Sequence, residues 1–156
     1  MNISIVQDQL LKVLDGSQAH ISFDKTVEGF PGDTINTRIA QVPYSAWELV
    51  THMYLAQHDI LDFIVNADYR EPKWPDDYWP DKEQQATIAE WQQTIEKFRG
   101  DLQALKDIVL DVHTDFTAEL AHAPGYTIFR EILIVGNHNS YHTGQLLVLK
   151  RSLGAY

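Results

Sequence analysis

The 156-residue chain contains no cysteine. That removes disulfides, thiolate metal ligands and a protein-borne sulfur nucleophile, so any thiol chemistry here needs a thiol from outside. Basic residues are scarce: 12 Lys and Arg stand against 22 Asp and Glu, for a net charge of -10. Holding nucleic acid or an anionic membrane surface requires positive charge to neutralise phosphate, so neither is expected as a partner. No run of about 18 apolar residues occurs, as a membrane-spanning helix would need. The start, MNISIVQDQL, has neither a cationic region nor a sustained apolar stretch, and the expectation is a soluble, cytoplasmic protein. Repeats, low-complexity tracts and Gly/Ser-rich linkers are also missing, which predicts a single domain over residues 1–156.

What is present is helical periodicity. With 44% apolar residues, a chain of this length can bury about two-thirds of the surface its unfolded form exposes. Ile88, Trp91, Ile95, Phe98, Leu102, Leu105 and Val109 follow at alternating steps of three and four, a helix seam of about six turns. An earlier helix is announced by Pro43 and the Ser45-Ala-Trp-Glu48 capping pattern, with Leu49, Met53, Ala56, Ile60 and Phe63 as its stripe. Another starts after Pro124-Gly125 with Thr127 as N-cap and carries Ile128, Val135, Leu146, Leu149 and Leu153, with Lys150 and Arg151 off the stripe. The first 30 residues offer a weaker series, Leu10, Leu14 and Ile21 with Val13, His20 and Val27 beside it, interrupted by Gly16. Strand-like alternation is nearly absent. The pattern predicts an all-α four-helix bundle with long connections between helices 1 and 2 and between helices 2 and 3.

The second of those connections carries Trp74, Tyr78 and Trp79 within Tyr69–Pro80. Either its aromatics cap one end of the bundle, or they form a wall over a pocket. His20, on the flank of the first helix, is a further candidate pocket residue or a boundary histidine.

The fourth helix holds the main anomaly. Its inward positions read Ile128, Glu131, Val135, His138, His142, Leu146, Leu149 and Leu153, so two imidazoles stand where the pattern calls for Leu or Val. A buried polar ring without a partner costs roughly 1–3 kcal/mol. Histidines at i and i+4 project from one face and can converge on one ion, although the spacing by itself also suits two hydrogen-bonded histidines. His52 lies about 60° from the centre of the second helix's stripe and can look inward; His58 lies about 180° away and should be solvated. His113 and His122 read as loop residues. Glu131 reads as a buried partner for an Arg or Tyr, and Glu48 as the N-cap partner of Ser45 or an acceptor for His52.

These stretches, WELVTHMYLAQHDIL, WPDDYWP and NHNSYHTGQLLVLKRSLG, resemble the DinB-like superfamily of metal-binding four-helix bundles over essentially the whole chain. In that family three histidines hold a divalent ion, one from the second helix and two from the fourth, and the resemblance carries these onto His52, His138 and His142. It implies Zn, Ni or Fe, an open coordination position, and activity as a transferase that uses a low-molecular-weight thiol on a small-molecule electrophile. A metal-dependent hydrolase and a non-catalytic metal-binding or stress-associated bundle are the alternatives. It also implies a homodimer, for which Trp47, Val50 and Tyr54, outside the second helix's stripe, could supply a surface or else fill the core.

Overall fold

A computed structural model describes residues 4–154 of the chain. The two ends of the expected 1–156 span, residues 1–3 and 155–156, lie outside it. The chain forms α1 (Ile5–Asp15), α2 (Phe23–Val27), α3 (Ala46–Val65), α4 (Ile88–Leu110), a two-stranded hairpin of β1 (Glu119–Leu120) and β2 (Ala123–Thr127), and α5 (Ile128–Ser152). The described structure is mostly helical, as the periodicity predicts.

Local chemistry sets the helix ends. The Ser45 side chain accepts from the Glu48 amide while the Glu48 carboxylate accepts from the Ser45 amide, a closed capping box that starts α3. Ser4 with Gln7 and Thr87 with Glu90 do the same for α1 and α4. Thr127 caps α5 by accepting from the Arg130 amide. Gly16 adopts φ 61°, left-handed backbone, and its N–H returns to the Lys12 carbonyl. That conformation ends α1 outright. The first 30 residues are therefore not one interrupted helix but α1, an exposed turn and the short α2, which begins under its own cap, Ser22.

α3 packs against α4 and α5, α1 against α5 and α4, and α2 against α5. One apolar cluster joins Leu49, Val50 and Met53 of α3 to Trp91, Ile95 and Phe98 of α4 and Leu146 and Leu149 of α5; a second joins Leu10 and Leu14 to Leu105, Val109, Ile132 and Val135. The buried face of α3 is wider than the predicted stripe. Trp47 and Val50 are inside it, so they fill the core and offer no surface to a second subunit. The polar stretch before α5 is also more ordered than expected. Residues 119–127 form an antiparallel hairpin, and His122 in its turn bonds the Phe63 carbonyl at 2.8 Å. Lys150, expected off the stripe, is buried and donates to the carbonyls of Thr26 and Glu28, a cation at the negative end of α2. Among the described residues no helix is long and apolar enough to cross a membrane.

Candidate metal centre

α3 and α5 bring three imidazoles together where they cross. One nitrogen from each of His52, His138 and His142 lies within 4.8 Å of the others. His52 projects from α3 and is 2% exposed. Its Nδ1–H donates to the Tyr78 carbonyl at 2.9 Å. A carbonyl only accepts, so the proton sits on Nδ1 and Nε2 is bare. That bare nitrogen faces His138 Nε2 at 3.2 Å. His142, one turn further along α5, pairs its Nδ1 with Gln145 Oε1 at 2.7 Å, which leaves Nε2 free.

The aromatic connection forms one wall. Trp79 lies flat on the His52 ring, centroids 4.1 Å apart and planes 2° apart. Trp74 meets the same ring edgewise at 6.4 Å and is otherwise exposed. Tyr78 is buried; its hydroxyl and that of Tyr69 both donate to the Asp59 carboxylate on α3, at 2.6 and 2.7 Å. Burial and that carboxylate push both phenols up, so they stay protonated and the connection stays pinned to α3. The backbone carbonyl that orients His52 is thereby fixed in place.

Burial lowers the pKa of all three imidazoles. For His52 the opposing influence is the Tyr78 carbonyl, and for His142 it is Gln145. His138 is pushed down to about 4, by burial first and then by the two neighbouring rings. Near neutral pH the three rings are uncharged, the form in which imidazole binds a cation. Two nitrogens each about 2.0–2.1 Å from a shared ion at the tetrahedral angle stand about 3.3 Å apart. The 3.2 Å between the Nε2 atoms of His52 and His138 is that separation, so the residues present fit a divalent ion.

The DinB family model matches residues 9–156. The chain belongs to the DinB family. Among curated proteins and among solved structures, nothing matches it. For a DinB family member the cluster of one histidine from α3 and two from α5 is the arrangement that the resemblance implied for a metal site.

The other sequence candidates divide. Trp74, Tyr78 and Trp79 sit at the cluster. His20 does not: its Nε2 meets Ser140 Oγ at 2.9 Å and its Nδ1 meets the Ile21 carbonyl at 2.8 Å, which ties the turn after α1 to α5. Glu48 does not reach His52; it closes the cap with Ser45 and pairs with Arg38. Glu131 is buried and pairs with Arg130. His58 is exposed and pairs with Asp101 at 2.9 Å. Two participants were not singled out from the sequence, Gln145 and Tyr141. Gln145 could have been found, because i+3 from His142 on a helix lies on the same face. Tyr141 packs its ring edgewise on His142 at 4.8 Å.

Proposed function

We propose that this DinB family chain is a single-domain four-helix bundle that holds a divalent ion on His52, His138 and His142 and acts as a metal-dependent transferase with a low-molecular-weight thiol as nucleophile. The observation that carries it is the convergence of three uncharged imidazoles, two of them already spaced as neighbouring ligands. Three protein ligands leave a coordination position open. A Zn, Ni or Fe ion there supplies Lewis acidity that lowers the pKa of a thiol or water.

The chain's own residues shape what can react. Beside His138 an open hollow of about 580 Å³ is lined by Phe129, Arg130, Leu133, Ile134, Asn137 and Tyr141, mostly apolar walls that suit the body of a small electrophile. Glu48, Asp59 and Glu131 are each committed elsewhere, so none is free to serve as a general base. A thiol is the more acidic of the two nucleophiles and so relies less on a protein base than water does. The absence of cysteine leaves the thiol to come from a cosubstrate. A homodimer in the cytoplasm, with a small molecule as the other partner, completes the reading.

Elemental analysis of the purified protein, paired with an assay of 1-chloro-2,4-dinitrobenzene consumption with and without glutathione, tests it. Thiol-dependent consumption in proportion to bound metal is the expected result. Metal-dependent loss of an activated ester with no thiol requirement would make it a hydrolase. Bound metal with neither activity would make the centre a tie between α3 and α5.

A further inference from the structure

Three buried side-chain atoms among the described residues lack a hydrogen-bond partner, Trp47 Nε1, Thr51 Oγ1 and Asn139 Oδ1. A buried acceptor left unpaired costs about 1–3 kcal/mol, and the third of these stands one residue after His138. Asn139 is 8% exposed. Its amide nitrogen donates to Gln57 Oε1 at 2.8 Å, and the Gln57 amide nitrogen donates to the Phe98 carbonyl at 2.7 Å. That carbonyl can only accept, so Gln57 must turn its nitrogen to it and its oxygen to Asn139. Asn139 must in turn present nitrogen to Gln57. The direction of Asn139 Oδ1 is thus set by a strut of two amides anchored on α4, with no freedom to flip.

The three imidazoles differ in one respect. His52 and His142 each have an acceptor at Nδ1, the Tyr78 carbonyl and Gln145 Oε1. His138 instead uses Nε2, which must be the donor to His52 because His52 Nε2 is bare. A cation held between the rings would take both Nε2 lone pairs. A neutral His138 then carries its one proton on Nδ1, moved from Nε2 with no net gain or loss. A buried Nδ1–H requires an acceptor. Asn139 follows His138 directly on α5, and its buried oxygen has no donor.

We propose that Asn139, braced by Gln57, is a positioning residue whose Oδ1 accepts the Nδ1–H of His138 and so holds the ring with Nε2 presented to the ion. The inference rests on the metal-site reading above. All three ligands then have an outer partner: the Tyr78 carbonyl on the aromatic connection for His52, Gln145 of α5 for His142, and for His138 Asn139 of α5, braced through Gln57 of α3 against the Phe98 carbonyl of α4. Such partners typically contribute 10- to 100-fold to metal affinity.

The test is zinc affinity by competition with a chromophoric chelator, for the full chain and its Asn139→Leu and Asn139→Asp variants, with circular dichroism as the check on folding. Asn139→Leu should weaken zinc binding about 10- to 100-fold. Asn139→Asp keeps the acceptor and should stay within a few-fold of the unsubstituted chain. A merely structural role predicts the reverse order, because a buried carboxylate facing Gln57 Oε1 disturbs packing more than Leu does. Nitrogen-15 spectra of the zinc-loaded, unsubstituted protein give a readout independent of either variant: His138 should be protonated at Nδ1. Protonation at Nε2, undiminished affinity in Asn139→Leu, or equal losses in both variants would each overturn the proposal while leaving the three-histidine site standing. A chain that binds no zinc at all would remove the metal-site reading itself.

Discussion

Trp79 lies parallel to His52, with ring centroids 4.1 Å apart and 2° between the planes. His52 is thus clamped on two sides, by the Tyr78 carbonyl at its edge and by the indole on its face. Both partners come from the same pinned connection. Trp79→Leu removes the face contact and keeps the carbonyl, so the ring gains freedom about its remaining hydrogen bond. We expect stability to fall by about 0.5–1.5 kcal/mol beyond the loss from reduced burial and zinc affinity to fall several-fold. Chemical denaturation and zinc titration of the variant check the two effects separately. An unchanged zinc affinity would show that the carbonyl alone orients the ring.

The metal-free protein should lose stability as pH falls from neutrality. Each imidazole of the cluster has a folded-state pKa below its ordinary value near 6.5, and that of His138 is about 4. Between those values the unfolded chain binds protons that the folded chain refuses, so stability is fully present above about pH 6.5 and declines through the window down to about pH 4. His138 alone accounts for up to about 2 kcal/mol between pH 7 and pH 5. Urea denaturation of chelator-treated protein at several pH values measures the slope, and His138→Gln should flatten it. Parallel slopes for the two proteins would rule out His138 as a source.

α1 and α5 approach through a glycine. A methyl group added at Gly136 would stand 2.2 Å from Val13 Cγ1 and 3.2 Å from the Val13 carbonyl oxygen. Val13 is β-branched with little rotamer freedom, and the carbonyl belongs to helix backbone, so neither yields readily. Alanine has the better helix propensity by about 1 kcal/mol, yet overpacking of this kind costs about 1–3 kcal/mol. Gly136→Ala should therefore be destabilising on balance, and in a Val13→Ala background the same change should become neutral or favourable. Melting temperatures of the four proteins form the cycle that decides it.

Capping pairs and long seams were legible in the sequence because both are local. Ser45 with Glu48, Thr127, and the α4 series from Trp91 to Val109 need nothing beyond their own helix. The two imidazoles on α5 and His52 on α3 stood out for the same reason, as polar rings on apolar stripes. What stayed hidden depends on partners distant in sequence. The acceptor for His52 is a backbone carbonyl 26 residues away, and a carbonyl has no residue type by which to recognise it. The inward turn of Trp47 and Val50 follows from α3 being covered on two sides, by α4 and α5. The split at Gly16 was readable in principle, since glycine is the usual residue for a left-handed helix end. It was masked by apolar residues that continue the spacing on the far side of the turn.

Zinc should stabilise the chain by tying α3 to α5. A ligand that binds the folded state and not the unfolded one adds about 2.7 kcal/mol when present at 100 times its dissociation constant. For a chain of this size that corresponds to about 5–10 °C in Tm. His142→Ala removes one of the two α5 ligands and, because the helix stripe around it is Leu146 and Leu149, should keep its helical circular dichroism. Its Tm should rise far less with zinc than that of the unsubstituted chain. Differential scanning fluorimetry with zinc, with zinc plus excess chelator, and with chelator alone separates these cases. If neither zinc nor chelator moves the Tm of the unsubstituted protein, the ion does not bridge the two helices, and the three rings serve only one another.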